Sequence, residues 1–359
     1  MLAGRLGSRA LVFTGGDPDR HGELLESLAV PFLSFSVRGE PTVELARSAA
    51  ALAREESVDL VVALGGGSVM DLGKAVAMLV GNGGDPLDYM EIIGAGRPIE
   101  KPSAPFIALP TTAGTGSEVT SNAVLASPAD GRKASLRSPS MLPTAAIVDP
   151  RLTLSCPPTV SVASGLDALT QCLEPFVSVR ANPMTDAFAR EGLRRAAAGL
   201  RQSWADGSDL AARTDMALCS LLGGLSLANA KLGAVHGLAG VIGGTVDIPH
   251  GAACAAVLVG TTEANVAALR SREPTSHALD KYQEAARILT GRSSATIEDG
   301  LAWIAETVEL LGIGKLADYG LRPEQTEEIV ARAAEASSTK GNPIELRPDE
   351  LEAVLMAAI

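Results

Sequence analysis

Hydrophobic and polar positions follow two different periods in the two halves of the chain. Short apolar runs at residues 10–14, 32–37, 59–64 and 105–109 predict β-strands, and residues 23–28, 42–56 and 69–79 between them carry helical spacing. Strand and helix in alternation imply a parallel sheet covered on both faces. The texture changes after Ala145-Ala-Ile-Val-Asp149-Pro150, and Cys156-Pro157-Pro158-Thr159 marks a boundary where Thr159 is expected to cap a helix. Beyond it, residues 160–177, 183–204, 210–230, 277–289, 297–311, 323–336 and 347–358 all show helical spacing. The expected architecture is therefore an α/β domain with a parallel sheet over residues 1–155, followed by an all-helical domain over residues 156–359. At 359 residues the chain is long enough for two cores, which implies a cleft between them.

Composition narrows the function classes. A net charge of −12 without a Lys/Arg cluster argues against a nucleic-acid partner. Aromatic residues at 3% leave the core to Ala, Leu and Val. The four cysteines, Cys156, Cys172, Cys219 and Cys254, form no C-x-x-C pair and lie in apolar surroundings, as expected of reduced thiols in a cytoplasmic protein. Residues 1–9 lack the apolar run of a signal peptide, and no uninterrupted span of about 18 apolar residues suggests a membrane.

Four stretches carry candidate chemistry. The strand at 59–64 runs into Gly65-Gly66-Gly67-Ser68 and a helix bearing Asp71 and Lys74. Glycines before a helix N-terminus suit a phosphate, although they also suit a bare tight turn. The hydroxyl-rich run from Leu109 to Thr120, with Thr111, Thr112 and Thr115, reads as a pyrophosphate or ribose loop, or as a solvated loop satisfying itself. Lys133 is a surface lysine or a point charge for a cofactor. Two of only four histidines, His236 and His250, lie among glycines and small apolar residues, with Asp167 on an earlier helix. Two imidazoles and a carboxylate make a partial divalent-metal site, and hydrogen-bonded core histidines are the alternative.

Gly65-Gly-Gly-Ser68-x-x-Asp71, Pro110-Thr-Thr-Ala-Gly-Thr-Gly-Ser-Glu118-Val-Thr120, Gly165-Leu-Asp-Ala-Leu169 and the segment from His236 to Pro249-His250-Gly251 occur in an order that resembles the iron-containing (group III) alcohol dehydrogenases. The resemblance implies a dinucleotide-binding α/β domain, a helical domain with a divalent metal such as iron or zinc, and interconversion of alcohols with aldehydes or ketones using NAD or NADP. It also implies a homodimer or larger assembly acting on a small alcohol, aldehyde or oxo acid. On this resemblance Gly66, Gly67 and Ser68 hold the pyrophosphate beside Asp71, with Thr111, Thr112, Thr115 and Lys133 around ribose and nicotinamide. Asp167, His236 and His250 take three of the family's four metal-ligand positions.

The chain departs from the pattern at three places. Gln171 stands where metal-binding members have His; its amide oxygen is a weaker donor, but the i, i+4 spacing keeps it on the Asp167 face. Gly15-Gly16 stands where NAD-preferring relatives tend to carry Asp, leaving NADP unrepelled. Only nine residues precede the first strand, where relatives usually have a further strand. The family also resembles the metal-free maleylacetate reductases, in which His236 or His250 would donate the proton to the carbonyl. A glycerol dehydrogenase-like or dehydroquinate synthase-like enzyme and a catalytically inactive nucleotide-binding relative are the remaining readings.

Overall fold

A computed structural model of the chain describes residues 2–359 and separates them into two units. The first runs to Thr112 and resumes over Ser117–Leu152; the second holds Ala113–Gly116 and Thr153–Ile359.

In chain order the first unit carries α1 (Ala3–Leu6), β1 (Ala10–Thr14), α2 (Gly22–Glu26), β2 (Phe32–Ser36), α3 (Val43–Glu55), β3 (Leu60–Gly65), α4 (Gly67–Asn82), α5 (Pro86–Tyr89), β4 (Phe106–Pro110), β5 (Asn122–Ser127), β6 (Arg132–Arg137) and β7 (Ala145–Ala146). Five strands form the expected parallel sheet in the order β2-β1-β3-β4-β7. The strands β1, β3 and β4 are buried along their whole length, which is why they read as continuous apolar runs rather than alternating ones. Leu11, Phe13, Val61 and Ala63 face a core shared with α3 and α4, while Ala10, Val12, Leu60 and Val62 face the other side with Leu25. Thr42 caps α3 by accepting from Leu45 N, and the helix buries Ala46, Ala49, Ala50 and Ala53.

The alternation does not extend to β5 and β6, an antiparallel hairpin that periodicity did not predict. Its residues are mostly Asn, Ser, Ala, Lys and Arg, weak strand formers, and its pairing is sustained by tertiary contact. Ala123, Leu125 and Leu136 share the core of α4, and Asp71 on α4 accepts from Val124 N at 2.9 Å.

The second unit comprises α6 (Pro158–Val177), α7 (Pro183–Ala205), α8 (Leu210–Ala230), α9 (Ala234–Thr245), α10 (His250–Arg272), α11 (His277–Thr290), α12 (Ile297–Leu310), α13 (Thr326–Glu335) and α14 (Pro348–Ala358). Thr159 is not the cap of α6. The helix and its cap lie two residues earlier, because Pro158 already has the fixed φ of a first helical position, and Pro157 stands at the cap without a side-chain bond among the described residues. The helices α9 and α10 fall in the stretch that helical spacing left unassigned, since both are apolar nearly all round and bury most of their surface. Helix α10 is long and apolar enough to cross a membrane, yet 67% of its most apolar window is buried. Its first turn touches α6 so closely that a Cβ on Gly251 would run into the Ala163 carbonyl oxygen. All four cysteines are buried, and none forms a disulfide among the described residues.

One charged side chain sits at the centre of the first unit. Lys74 is 1% exposed; its Nζ donates to Ser117 O and Thr120 Oγ1, each at 3.0 Å, and lies 3.3 Å from Asp71 Oδ1. Asp71 in turn accepts from Ser117 Oγ at 2.6 Å. Burial pulls the ammonium below its ordinary pKa, and the Asp71 charge works against that pull. Removing one member of such a buried set strands the other, so Lys74→Ala is expected to lower the stability of this unit by about 3–5 kcal/mol. The urea midpoint of its unfolding transition measures this, and an unchanged midpoint refutes it.

Candidate active site

The carboxyl ends of β1, β3 and β4 open onto a cavity of about 230 Å³ lined by Thr14, Gly15, Gly16, Asp17, Leu64 and Thr111. Crevices outside the carboxyl ends of parallel strands are where α/β sheets bind nucleotides. Beside Thr111, Gly66 caps α4 in an extended conformation, and Gly67 and Ser68 form the helix's first turn. A Cβ on Gly66 would stand 3.2 Å from the Thr112 methyl, so the glycine lets Thr112 approach the turn. Amides of a first helical turn have no intrahelical acceptor and face an anion favourably.

The other residues expected around a cofactor have different surroundings. Asp71 has both carboxylate oxygens engaged within its own unit, by Ser117 Oγ and Val124 N. Lys133, on β6, pairs with Glu40 at 3.1 Å. Thr115 lies in the short segment that groups with the second unit. That segment is tightly held: Gly116 N donates to Ser220 Oγ, and a Cβ on Gly114 would collide with Ser164. Ser117, Glu118 and Thr120 are buried, which excludes the solvated-loop reading for this part of the run. Three residues that line the cavity escaped sequence reasoning: Asp17, Arg20 and His21. Their signal was position alone, directly after Gly15-Gly16. Burial and the charge of Arg20 hold His21 below its ordinary pKa.

In the helical unit the structure brings Asp167, His236, His250 and Cys254 together. One donor atom from each lies within 4.8 Å of all the others. Asp167 comes from the middle of α6, His236 from the first turn of α9, and His250 and Cys254 from the first two turns of α10. His236 is bridged on both sides, with Nε2 at 3.2 Å from Asp167 Oδ1 and Nδ1 at 2.6 Å from Glu174 Oε2. The second oxygen of Glu174 accepts from Val235 N at 2.7 Å. Sequence reasoning missed Glu174, although it follows Asp167 by seven residues and so projects from the same face of α6. Gln171 lies between them and its amide hydrogen-bonds Asp167. No described residue donates to its buried Oε1.

Electrostatics fit a cation. Burial alone pushes the Asp167 carboxyl up, but the His236 hydrogen bond and the charges of both histidines outweigh it and hold the group below its usual range. Burial likewise opposes the Cys254 thiolate, and the charges of His250 and His236 overcome it. The Cys254 charge raises His250 to about 9 against burial. His236 is opposed by burial and rises well above its ordinary value through Cys254, Asp167 and Glu174. All four shifts run toward the charged form of each group, and a divalent ion binding there would displace protons from the donors. An orphaned amide oxygen beside carboxylate, imidazole and thiol donors fits such an ion. The Glu174–His236 contact is the outer hydrogen bond that fixes a metal-binding imidazole.

A nucleotide-type crevice on one unit and a mixed-donor centre on the other, open at His250, are the features of a metal-assisted, nicotinamide-linked dehydrogenase. The chain matches the family description "Iron-containing alcohol dehydrogenase" over residues 1–150 and "Fe-containing alcohol dehydrogenase family, C-terminal" over residues 161–359. It is 44% identical over 219 residues to long-chain-alcohol dehydrogenase 1 of Geobacillus thermodenitrificans, an alignment spanning 61% of this chain and 55% of that protein. It is 36% identical to the probable alcohol dehydrogenase EutG of Salmonella typhimurium over 325 residues, 89% of this chain and 79% of the relative. The structure of sulfoacetaldehyde reductase from Bifidobacterium kashiwanohense in complex with NAD+ superimposes with a TM-score of 0.87 at 29% identity, over 99% of this chain and 93% of that one. The chain belongs to the iron-containing alcohol dehydrogenase family and is an oxidoreductase that interconverts alcohols with aldehydes or ketones.

Replacing the outer partner of His236 tests the centre directly. Glu174→Gln keeps an acceptor for Val235 N but loses the charge behind the imidazole. Its metal affinity is expected to fall about 10–100-fold, read by chelator competition, with the helical unit still folded.

Proposed function

We propose that the enzyme transfers hydride between the carbinol carbon of a small alcohol and the nicotinamide of NAD or NADP, with a divalent metal held by the helical unit. The cluster of buried Asp167 and His236 with His250 at its exposed side, and Gln171 Oε1 left without a described partner, carries this reading. A bound ion supplies Lewis-acid stabilisation of negative charge on the substrate oxygen. The chain's own residues do the rest. Gly66, Gly67 and Ser68 present the first turn of α4 to the pyrophosphate, and Thr111 and Thr112 border it. Asp71 and Lys74 act by pinning the loop after β4, while Lys133 pairs with Glu40. Asp17 and Arg20 at the cavity offer a carboxylate for a ribose diol and a guanidinium for a 2′-phosphate, which is why both dinucleotides remain candidates. Glu174 orients His236, and Asp167 closes its other side.

A second reading has its own observation. Without an ion, His250, raised to about 9, carries a proton at neutral pH and is placed to give it to a carbonyl in the reductive direction. Four buried cysteines without a disulfide among the described residues support a cytoplasmic location. The edge strand β2, paired on one side by β1, supports a homodimer or larger assembly.

Oxidation of NADH and of NADPH against a panel of aldehydes, ketones and oxo acids, before and after chelation, separates these readings. The metal-assisted enzyme loses its rate on chelation and regains it with iron or zinc; a rate indifferent to chelator establishes proton donation by His250 instead. For the cofactor site, Gly67→Val puts a branched side chain where the pyrophosphate approaches. The dissociation constant for NAD(P)H is expected to rise at least about tenfold in a folded protein. Fluorescence titration measures it, and an unchanged constant removes this turn from the cofactor site.

A further inference from the structure

The family resemblance leaves the fourth corner of the metal site to Gln171, a neutral amide, but the folded chain offers a stronger donor. Cys254 follows His250 by one helical turn on α10, so both side chains leave the same face of that helix. Its Sγ lies 3.6 Å from His250 Nε2, and on the opposite edge His236 Nε2 lies 3.2 Å from Asp167 Oδ1. Bonds of about 2.0–2.3 Å to a tetrahedral ion place donor atoms roughly 3.5 Å apart. Both measured edges are close to that length. Every remaining separation among the four donor atoms is within 4.8 Å. Cys254 is fully buried, belonging to the apolar core on one side and to this polar cluster on the other.

Resting on the metal-assisted reading, we propose that Cys254 is a thiolate ligand of the metal and takes the corner that Gln171 fills only weakly. The donor set is then one carboxylate, two imidazoles and one thiolate. Thiolate is the soft donor that favours zinc, whereas an all-oxygen-and-imidazole set suits iron equally well. On loading, one S–H bond breaks, one sulfur–metal bond forms, and the proton leaves to solvent. Gln171 remains hydrogen-bonded to Asp167 as a buried amide whose Oε1 has no described donor. With four protein donors in place, substrate enters as a fifth ligand, an expansion that zinc tolerates.

The test uses cobalt(II) as an optical probe for zinc in the chelator-stripped full-length protein. Wild type is expected to bind one ion per chain and to show an intense near-ultraviolet thiolate-to-cobalt charge-transfer band beside the visible d–d bands. Cys254→Asp, which keeps an anionic donor, should retain the d–d bands and lose the sulfur band. Cys254→Ser should do the same and weaken zinc at least about tenfold in chelator competition. Gln171→Ala should keep the sulfur band. In competition between zinc and ferrous ion, the zinc excess should fall in Cys254→Asp relative to wild type. Cobalt bound with d–d bands but no sulfur band, or a sulfur band that survives in both Cys254 variants, overturns ligation by Cys254 and leaves the metal reading standing. A stripped protein that binds neither cobalt nor zinc overturns both.

Discussion

The two ring nitrogens of His236 are each claimed by a carboxylate from α6, Asp167 on one side and Glu174 on the other. Two helical turns separate the carboxylates, and a buried imidazole spans the gap. Buried carboxylates are costly unless each is paired and hydrogen-bonded, so this arrangement requires α9 to enter the core with His236 in one orientation only. That orientation also sets the start of α9, because Glu174 holds Val235 N as well. The helix α10 must then bring His250 up to the same point, and Gly251 permits the approach by leaving no side chain against the Ala163 carbonyl. The chemistry of the unit and the packing of its three central helices thus share one constraint.

Charge plays a contrasting role in the α/β unit. Lys74 and Asp71 are also buried and paired, but their partners are the backbone and hydroxyls of the loop after β4 and the edge of a hairpin. Nothing about that set turns toward the cavity at the strand ends. A motif position next to a glycine-rich turn can therefore serve the cofactor indirectly, by fixing the loop whose neighbouring residues border the crevice.

Much of the fold was legible because the buried strands of a parallel sheet are short apolar runs and the outer helices α3, α11, α12 and α13 are amphipathic. Where tertiary contacts dominate, legibility ended. The β5–β6 hairpin has poor strand composition, and it is held by Asp71 at Val124 and by the core of α4. In α9 and α10 the apolar residues are too dense to show a period. At the site, Asp167, His236 and His250 stood out because histidine is scarce in this chain. Glu174 and Cys254 did not, since a glutamate and a cysteine on helices look ordinary until the third dimension places them beside an imidazole.

Helix α10 has a consequence for how the protein reaches this state. Beyond His250, only its last turns offer water a polar edge, at Glu263, Arg270 and Ser271, and it carries two of the four clustered donors in its first two turns. A helix buried on most sides gains little by docking against a single neighbour, so it settles only when α6, α9, α12 and α14 are present to surround it. Until then the newly made chain exposes its stickiest segment, the kind of surface on which aggregation starts and chaperones act.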